Sequence, residues 1–277
     1  MSLVVFTGAV GFLLAPGRID WLKLVAALSA MAAGAGACGA LNMWWDADID
    51  ANMARTAMRP IPRGVVRPKE ALAIGALLSI VSVAALWLKV NCLAAGLLAL
   101  TIAIYIPLYT MYLKRRTPLN IVIGGAAGAL PPVIGWAAAT GSLAIGPIAL
   151  FLLVFLWTPP HFWALALCRS GDYQRVGVPM LPNVVGHVET CRQIMVYALL
   201  LVPASFGPLA IPGVGFVYAA VASVCDAILV WRAFGLYRLR DGEESSRRKA
   251  AMALFGYSIL YTFVLFAALL GEAALRG

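Results

Sequence analysis

Residues 42–64 read NMWWDADIDANMARTAMRPIPRG and stand at the end of a long apolar run. Asn42, Asp46 and Asp50 recur every four residues, so they share one face if the helix continues through them. Asp48 lies two residues out of this register and points away from that face. Carboxylates are expensive at membrane depth, so three within five residues of a membrane chain indicate a functional site.

Composition predicts a polytopic helical membrane protein. The 277 residues are 62% hydrophobic and 12% charged, with a mean hydropathy of +0.90, whereas about a quarter of a soluble chain is charged. A transmembrane β-barrel would show short alternating segments instead. We expect an all-α fold with about nine transmembrane helices in one domain, 1–277. The apolar segments are 1–15, 22–42, 70–88, 91–113, 118–139, 144–168, 191–211, 214–236 and 249–274.

The first segment differs from the others in length. Met1 to Ala15 is short for a span at about 1.5 Å per residue. We therefore expect a first helix that begins upstream of Met1, or one that is tilted or incomplete. No basic region precedes this segment, so a cleavable signal peptide is not predicted.

Charge distribution predicts the orientation of the chain in the cytoplasmic membrane. The net charge of +9 would suit nucleic-acid binding, but the basic residues stand in short loops between apolar runs, as membrane topology requires. The positive-inside rule places the rich loops, including 43–69 and 169–190, in the cytoplasm. Nine spans then put the N-terminus inside and the C-terminus outside. The opposite side keeps only Arg18, Lys23, Lys89 and Arg276.

The acidic face fits a divalent cation. Mg2+ prefers carboxylates, waters and substrate phosphates, which Asn42, Asp46 and Asp50 would complement. Asp172, in the second cytoplasmic loop, could supply a further ligand. The alternative is a helix end that carries solvated acids.

Basic residues beside these acids fit a diphosphate. Guanidinium groups bind phosphate oxygens in a bidentate fork. Pro60 and Pro62 end helix propagation, so Arg59 and Arg63 should lie on a bent, non-helical segment. Topology alone is the competing explanation for these two arginines, and the favoured one for Arg67 and Lys69. The other candidate phosphate ligands are Arg55 and, from a third loop, Lys114 and Arg115.

His161 follows Trp157-Thr158-Pro159-Pro160 within an apolar span. A lone buried histidine is usually a hydrogen-bonded structural residue. An iron–porphyrin partner would make it a candidate axial ligand.

Taken together, these motifs resemble a known family. The pattern N-x-x-x-D-x-x-x-D at the end of a span resembles the UbiA superfamily of intramembrane prenyltransferases. Within it, the stretches 46–64, 112–141, 156–167 and 172–182 look like the haem-farnesylating (haem O synthase) branch. The resemblance covers nearly the whole chain, in order. One departure is that the second D-x-x-x-D motif of many members is reduced to Asp172, since position 176 is Val.

The resemblance implies nine helices around a central cavity and Mg2+-assisted farnesyl transfer. Farnesyl diphosphate would donate its farnesyl group to the vinyl group of haem b, giving haem O, which a haem A synthase could receive. Asp46, Asp50 and Arg59 would be the catalytic residues. Three alternatives stay open: a prenyltransferase for a quinone precursor or chlorophyllide, a transporter, and a non-catalytic oxidase assembly factor.

Overall fold

The structure, a computed structural model, describes residues 2–274 and confirms the predicted all-helical membrane architecture. In this range eight helices are long and apolar enough to cross a membrane, and a ninth apolar helix, Ser2–Leu14, has 13 residues. Met1 and Arg276, which entered the predictions for the first helix and for topology, lie outside the described residues. The chain is a multi-pass membrane protein.

The helices follow one another with short connections. Their bounds are α1 Ser2–Leu14, α2 Trp21–Trp45, α3 Ala47–Ala51, α4 Pro68–Lys89, α5 Cys92–Ala103, a π-helix Ile104–Leu113, α6 Asn120–Ala129, α7 Pro131–Thr140, α8 Ile145–Cys168, α9 Ser170–Arg175, α10 Leu181–Ser205, a 3-10 turn Gly207–Ala210, α11 Phe216–Arg238 and α12 Glu244–Ala274. The described residues fall into two compact units. The single domain 1–277 and the central cavity stay predictions.

The first unit contains the residues up to Leu143 together with Gly171–Pro179. Its helices approach closely where glycines meet. A Cβ atom built on Gly135 of α7 would lie 1.9 Å from the backbone oxygen of Gly8 in α1. Small residues at helix contacts allow this approach in membranes, so these positions are needed for packing.

Prolines shape two other helices of this unit. The predicted segment 118–139 is two helices, α6 and α7, because Pro131 and Pro132 stand at the start of the second one and lack the N–H that would continue the first. Pro107 lies inside the π-helix Ile104–Leu113, where the wider turn accommodates the missing donor.

The second unit contains Ala144–Ser170 and the chain from Met180 onward. Its long helices are α8, α10, α11 and α12, and α11 carries a buried carboxylate at mid-span, Asp226. Asp226 was not among the site residues predicted from the sequence. Ser205 and Tyr261 donate hydrogen bonds to its two oxygens at 2.6 and 2.7 Å. Through these two bonds Asp226 of α11 joins α10 and α12.

The second predicted loop, 169–190, is partly helical. Residues Ser170–Arg175 form α9, and α10 already begins at Leu181, ten residues earlier than the apolar pattern suggested. Gly186, with φ of +82°, interrupts α10. The apolar run therefore predicted only the part of α10 that follows this break.

Candidate active site

Asn42, Asp46 and Asp50 share one helical face, as predicted. The backbone N–H of Asp46 donates to the Asn42 carbonyl at 2.9 Å, and that of Asp50 donates to the Asp46 carbonyl at 2.8 Å. The helical register therefore continues from α2 into α3, although the two helices are separated at Asp46, whose ψ is 13°. All three side chains are buried, whereas the Asp48 side chain is 64% exposed. The prediction that Asp48 points away from this face is confirmed.

Two cations neutralise the buried acids. Arg59 Nη1 donates to Asp50 Oδ2 at 2.6 Å and to Asn42 Oδ1 at 3.4 Å. Lys114 Nζ donates to Asp46 Oδ2, which brings the third loop onto the first motif. These contacts pair Asp46 and Asp50 with opposite charges, and they place two side chains beside the carboxylates whose binding to the diphosphate stays a prediction.

One oxygen at the centre of the site has no hydrogen bond. Asp46 Oδ1 is fully buried, and no described residue donates to it. Arg115 Nη2 is 3.5 Å away, within ion-pair distance but outside hydrogen-bond geometry. A buried carboxylate oxygen with free lone pairs is expensive unless a cation or a donor can reach it. The donor set at this position therefore fits Mg2+.

The protein supplies few metal ligands of its own. Among residues 2–274 no three His, Cys, Asp or Glu side chains form a group that could hold a metal. Asp46, Asp50 and the Asn42 amide would thus be a partial set. This suits Mg2+, which usually keeps waters and takes substrate phosphates as its other ligands.

Asp48 and Arg115 form a bidentate pair at the surface. Arg115 Nη1 and Nη2 lie 2.9 and 2.8 Å from the two Asp48 oxygens. The Arg115 hydrogen bond holds the pKa of Asp48 below its ordinary value, and Asp48 in turn raises the pKa of Arg115. From the sequence, Asp48 was expected to point away from the acidic face and Arg115 to bind the diphosphate. Asp48 instead anchors Arg115, whose phosphate role stays a prediction.

Arg55 and Arg63 are exposed on the segment between α3 and α4. This segment consists of turns, as the Pro60 and Pro62 pattern predicts. Neither arginine makes an ion pair with any residue in the described range, so both remain available to an anion. Their assignment to the diphosphate stays a prediction.

Asp172 joins the same unit as the acidic face. It lies in α9, its side chain is 13% exposed, and Arg175 is 3.6 Å away. Residues Gly171–Pro179 belong to the first unit. The second loop therefore meets the unit that carries the first motif, while a metal-ligand role for Asp172 stays a prediction.

Thr110 is a site residue that sequence reasoning missed. It is fully buried in the π-helix. Its Oγ1 donates to the Tyr105 carbonyl at 2.8 Å and accepts from Asn42 Nδ2 at 3.3 Å. The available signal was Pro107, since a proline inside a span predicts a local change of helical geometry.

His161 belongs to the second unit and is buried in α8. Its Nδ1 is 2.7 Å from the Ser258 hydroxyl. Its ring stacks on Trp157 and Phe255, with centroid distances of 4.3 and 4.6 Å. This is the environment of a hydrogen-bonded structural histidine, and the axial-ligand assignment stays a prediction.

Solved structures share this fold. Digeranylgeranylglyceryl phosphate synthase aligns over 98% of this chain and 92% of its own, with a TM-score of 0.79 and 20% identity. A UbiA homologue from Archaeoglobus fulgidus, solved with DMAPP and Mg2+, aligns over 96% of this chain and 94% of its own, with a TM-score of 0.69 and 17% identity.

Sequence comparison places the chain in a family. A protoheme IX farnesyltransferase of Parvibaculum lavamentivorans is 57% identical over 99% of this chain and 86% of its own length. One from Rhizobium meliloti is 54% identical over the same shares. The model of the UbiA prenyltransferase family matches residues 4–259. The chain therefore belongs to the UbiA prenyltransferase family.

Proposed function

We propose that this chain transfers the farnesyl group of farnesyl diphosphate to a vinyl group of haem b, with help from Mg2+, giving haem O and diphosphate. The observation that carries the reaction type is the buried face of Asn42, Asp46 and Asp50 with Arg59 and Lys114 in contact with it. The acceptor is inferred from relatives at 53–57% identity that are named protoheme IX farnesyltransferase.

The residues have distinct roles in this proposal. Asp46, Asp50 and Asn42, with Asp172 as a further candidate, would hold Mg2+. This cation supplies charge stabilisation for the departing diphosphate. Arg59 and Lys114 would exchange their carboxylate partners for oxygens of the diphosphate. Stabilisation of developing charge by positioned cationic groups is often the largest catalytic effect.

Three arginines at the surface, Arg55, Arg63 and Arg115, complete the diphosphate site in this proposal. Arg55 and Arg63 have no competing carboxylate among the described residues, and Arg115 is oriented by Asp48. Arg55 and Arg63 lie on the segment between α3 and α4, and Arg115 lies just after the π-helix. They would bind the diphosphate from the aqueous side.

The reaction balances with one water molecule. The bond between C1 of the farnesyl chain and the diphosphate oxygen breaks, and the oxygen keeps the electron pair. The vinyl π electrons then form the new carbon–carbon bond to C1. Water adds to the carbon next to the porphyrin ring and loses a proton, which leaves the hydroxyl of haem O. Bulk water must be excluded until the carbon–carbon bond has formed.

His161 is the proposed axial ligand of the haem iron. Iron-ligating histidines usually engage their other ring nitrogen in a hydrogen bond, and His161 Nδ1 already pairs with Ser258. His161→Ala should shift the haem absorbance maximum of the bound complex. Ser258→Ala is the matched control, because it removes the hydrogen bond and keeps the imidazole. An unchanged spectrum and turnover in His161→Ala would remove this residue as a ligand.

We place the protein in the cytoplasmic membrane, with the motif loops and the N-terminus in the cytoplasm and the C-terminus outside. The charge asymmetry of the loops supports this orientation. Both substrates carry large apolar groups and so partition into lipid, while the diphosphate stays at the interface. A haem A synthase is the proposed recipient of the product.

An acceptor assay tests the proposal. Purified protein in detergent is incubated with farnesyl diphosphate and haem b, a quinone precursor or chlorophyllide, with and without Mg2+, and products are identified by mass. The proposal expects haem O alone, and only with Mg2+. A prenylated quinone precursor without haem O would reassign the acceptor, and no prenyl transfer to any acceptor would remove the enzymatic assignment.

A further inference from the structure

The amide of Asn42 has one permitted orientation. Asp46 Oδ2 can only accept a hydrogen bond when ionised, so it must face the Asn42 amino group, and it lies 2.8 Å from Nδ2. Arg59 can only donate, and its Nη1 lies 3.4 Å from the amide oxygen. The contacts with Asp46 and with Arg59 therefore require the same orientation, in which the amide oxygen of Asn42 faces Arg59.

Both of these neighbours would change partners when a metal and a diphosphate bind. Asp46 would turn its oxygens to the cation, and Arg59 would turn to the phosphate. Neither could then hold the amide, and a free amide that rotates by 180° would present its NH2 group, which cannot ligate a metal.

Thr110 is the neighbour that does not change partners. Its hydroxyl proton is committed to the Tyr105 carbonyl at 2.8 Å, because the π-helix brings these two residues together. The hydroxyl can therefore only accept from Asn42, and Asn42 Nδ2 lies 3.3 Å from it. Thr110 is fully buried, so water does not compete for this bond.

We infer that Thr110 is a positioning residue that fixes the Asn42 amide so that its oxygen, not its nitrogen, faces the metal and diphosphate site. The inference rests on the proposed function, since it assigns Asn42 as a metal ligand. Residues that orient metal ligands typically change metal affinity by about 10–100-fold when they are lost. In this arrangement the π-helix around Pro107 directs the Thr110 hydroxyl proton to the Tyr105 carbonyl and away from Asn42.

The test measures metal binding without turnover. Mn2+ replaces Mg2+ as a spectroscopic probe, and its binding is followed by electron paramagnetic resonance with farnesyl thiodiphosphate, a slowly reacting analogue. Thr110→Val keeps the shape and removes the acceptor, and it should weaken Mn2+ binding about tenfold. Thr110→Ser keeps the hydroxyl and should bind Mn2+ as the wild type does.

Two controls separate positioning from folding. Thr101→Val removes a hydroxyl that donates to Leu97 O at 2.8 Å in the same span, and it should leave Mn2+ binding unchanged. In an Asn42→Ala background, Thr110→Val should cause no further loss. Mn2+ affinity of Thr110→Val within twofold of the wild type, or a further tenfold loss in the Asn42→Ala background, would overturn the inference. Absence of Mn2+ binding by the wild type would overturn the proposed function itself.

Discussion

We expect the ion pair between Arg59 and Asp50 to make a measurable contribution to the stability of the ligand-free protein. Asp50 is 2% exposed and Arg59 is 29% exposed, with 2.6 Å between Arg59 Nη1 and Asp50 Oδ2. Removing one partner of a buried pair costs about 3–5 kcal/mol, and a hydrogen bond to a charged group contributes about 1.5–3 kcal/mol. Because Arg59 is partly solvated, we expect Arg59→Met to lower the free energy of unfolding by about 2 kcal/mol.

Mg2+ should then offset part of this loss. In the wild type the cation must displace Arg59 from Asp50, whereas in Arg59→Met the carboxylate is unpaired. Mg2+ should therefore stabilise the variant more than the wild type. The assay is reversible unfolding in mixed micelles, followed by far-UV circular dichroism with and without Mg2+.

A surface pair provides the control for this experiment. Lys23 and Asp20 are 3.8 Å apart with side chains 44% and 46% exposed, and exposed pairs contribute at most about 1 kcal/mol. Lys23→Met should change stability little, with no Mg2+ dependence. Equal stability of Arg59→Met and the wild type, or equal stabilisation of both by Mg2+, would refute the assignment of Asp50 as a carboxylate for which Arg59 and Mg2+ compete.

Two further predictions concern the surface pair at the site and the helix packing. Arg115 lowers the pKa of Asp48, so the ionised carboxylate stabilises the folded protein above the unfolded pKa of about 3.9, and this stabilisation is lost as pH falls through the lower folded pKa. The unfolding free energies of wild type and Asp48→Asn should differ by under about 1 kcal/mol at pH 7 and converge in acid. A difference that grows in acid would contradict this prediction. Gly135→Ala should destabilise by about 1–3 kcal/mol or more because its Cβ would meet Gly8 O, whereas Gly128→Ala, with nothing within 4 Å, should not; equal unfolding midpoints would disprove the close contact.

The apolar segments and the acidic register could be predicted because both rest on local periodicity. Asn42, Asp46 and Asp50 needed only the four-residue spacing of a helix, and the backbone hydrogen bonds follow it. Loop charge placed Lys114 on the same side as the first motif, whereas its binding to the diphosphate stays a prediction. Its contact with Asp46 confirms that this side is shared.

The residues that could not be predicted depend on changes of helical geometry or on tertiary partners. Thr110 meets Asn42 through a π-helix, which no apolar period reveals. Asp226 is a single acid inside an apolar run, and its partners Ser205 and Tyr261 come from other helices. Gly186 interrupts α10 by its positive φ, which depends on the backbone and not on hydropathy.

Haem O formation by Asp50→Asn at saturating Mg2+ tests directly whether the Asn42, Asp46 and Asp50 face binds the metal of the reaction. This variant keeps the size of the side chain and removes the charge that would hold the cation on the Asn42, Asp46 and Asp50 face. We expect Asp50→Asn to be folded and inserted in the membrane but to form no haem O detectable by mass spectrometry, whereas the wild type forms it. A haem O yield near that of the wild type would contradict the claim that this face binds the Mg2+ and diphosphate of the reaction.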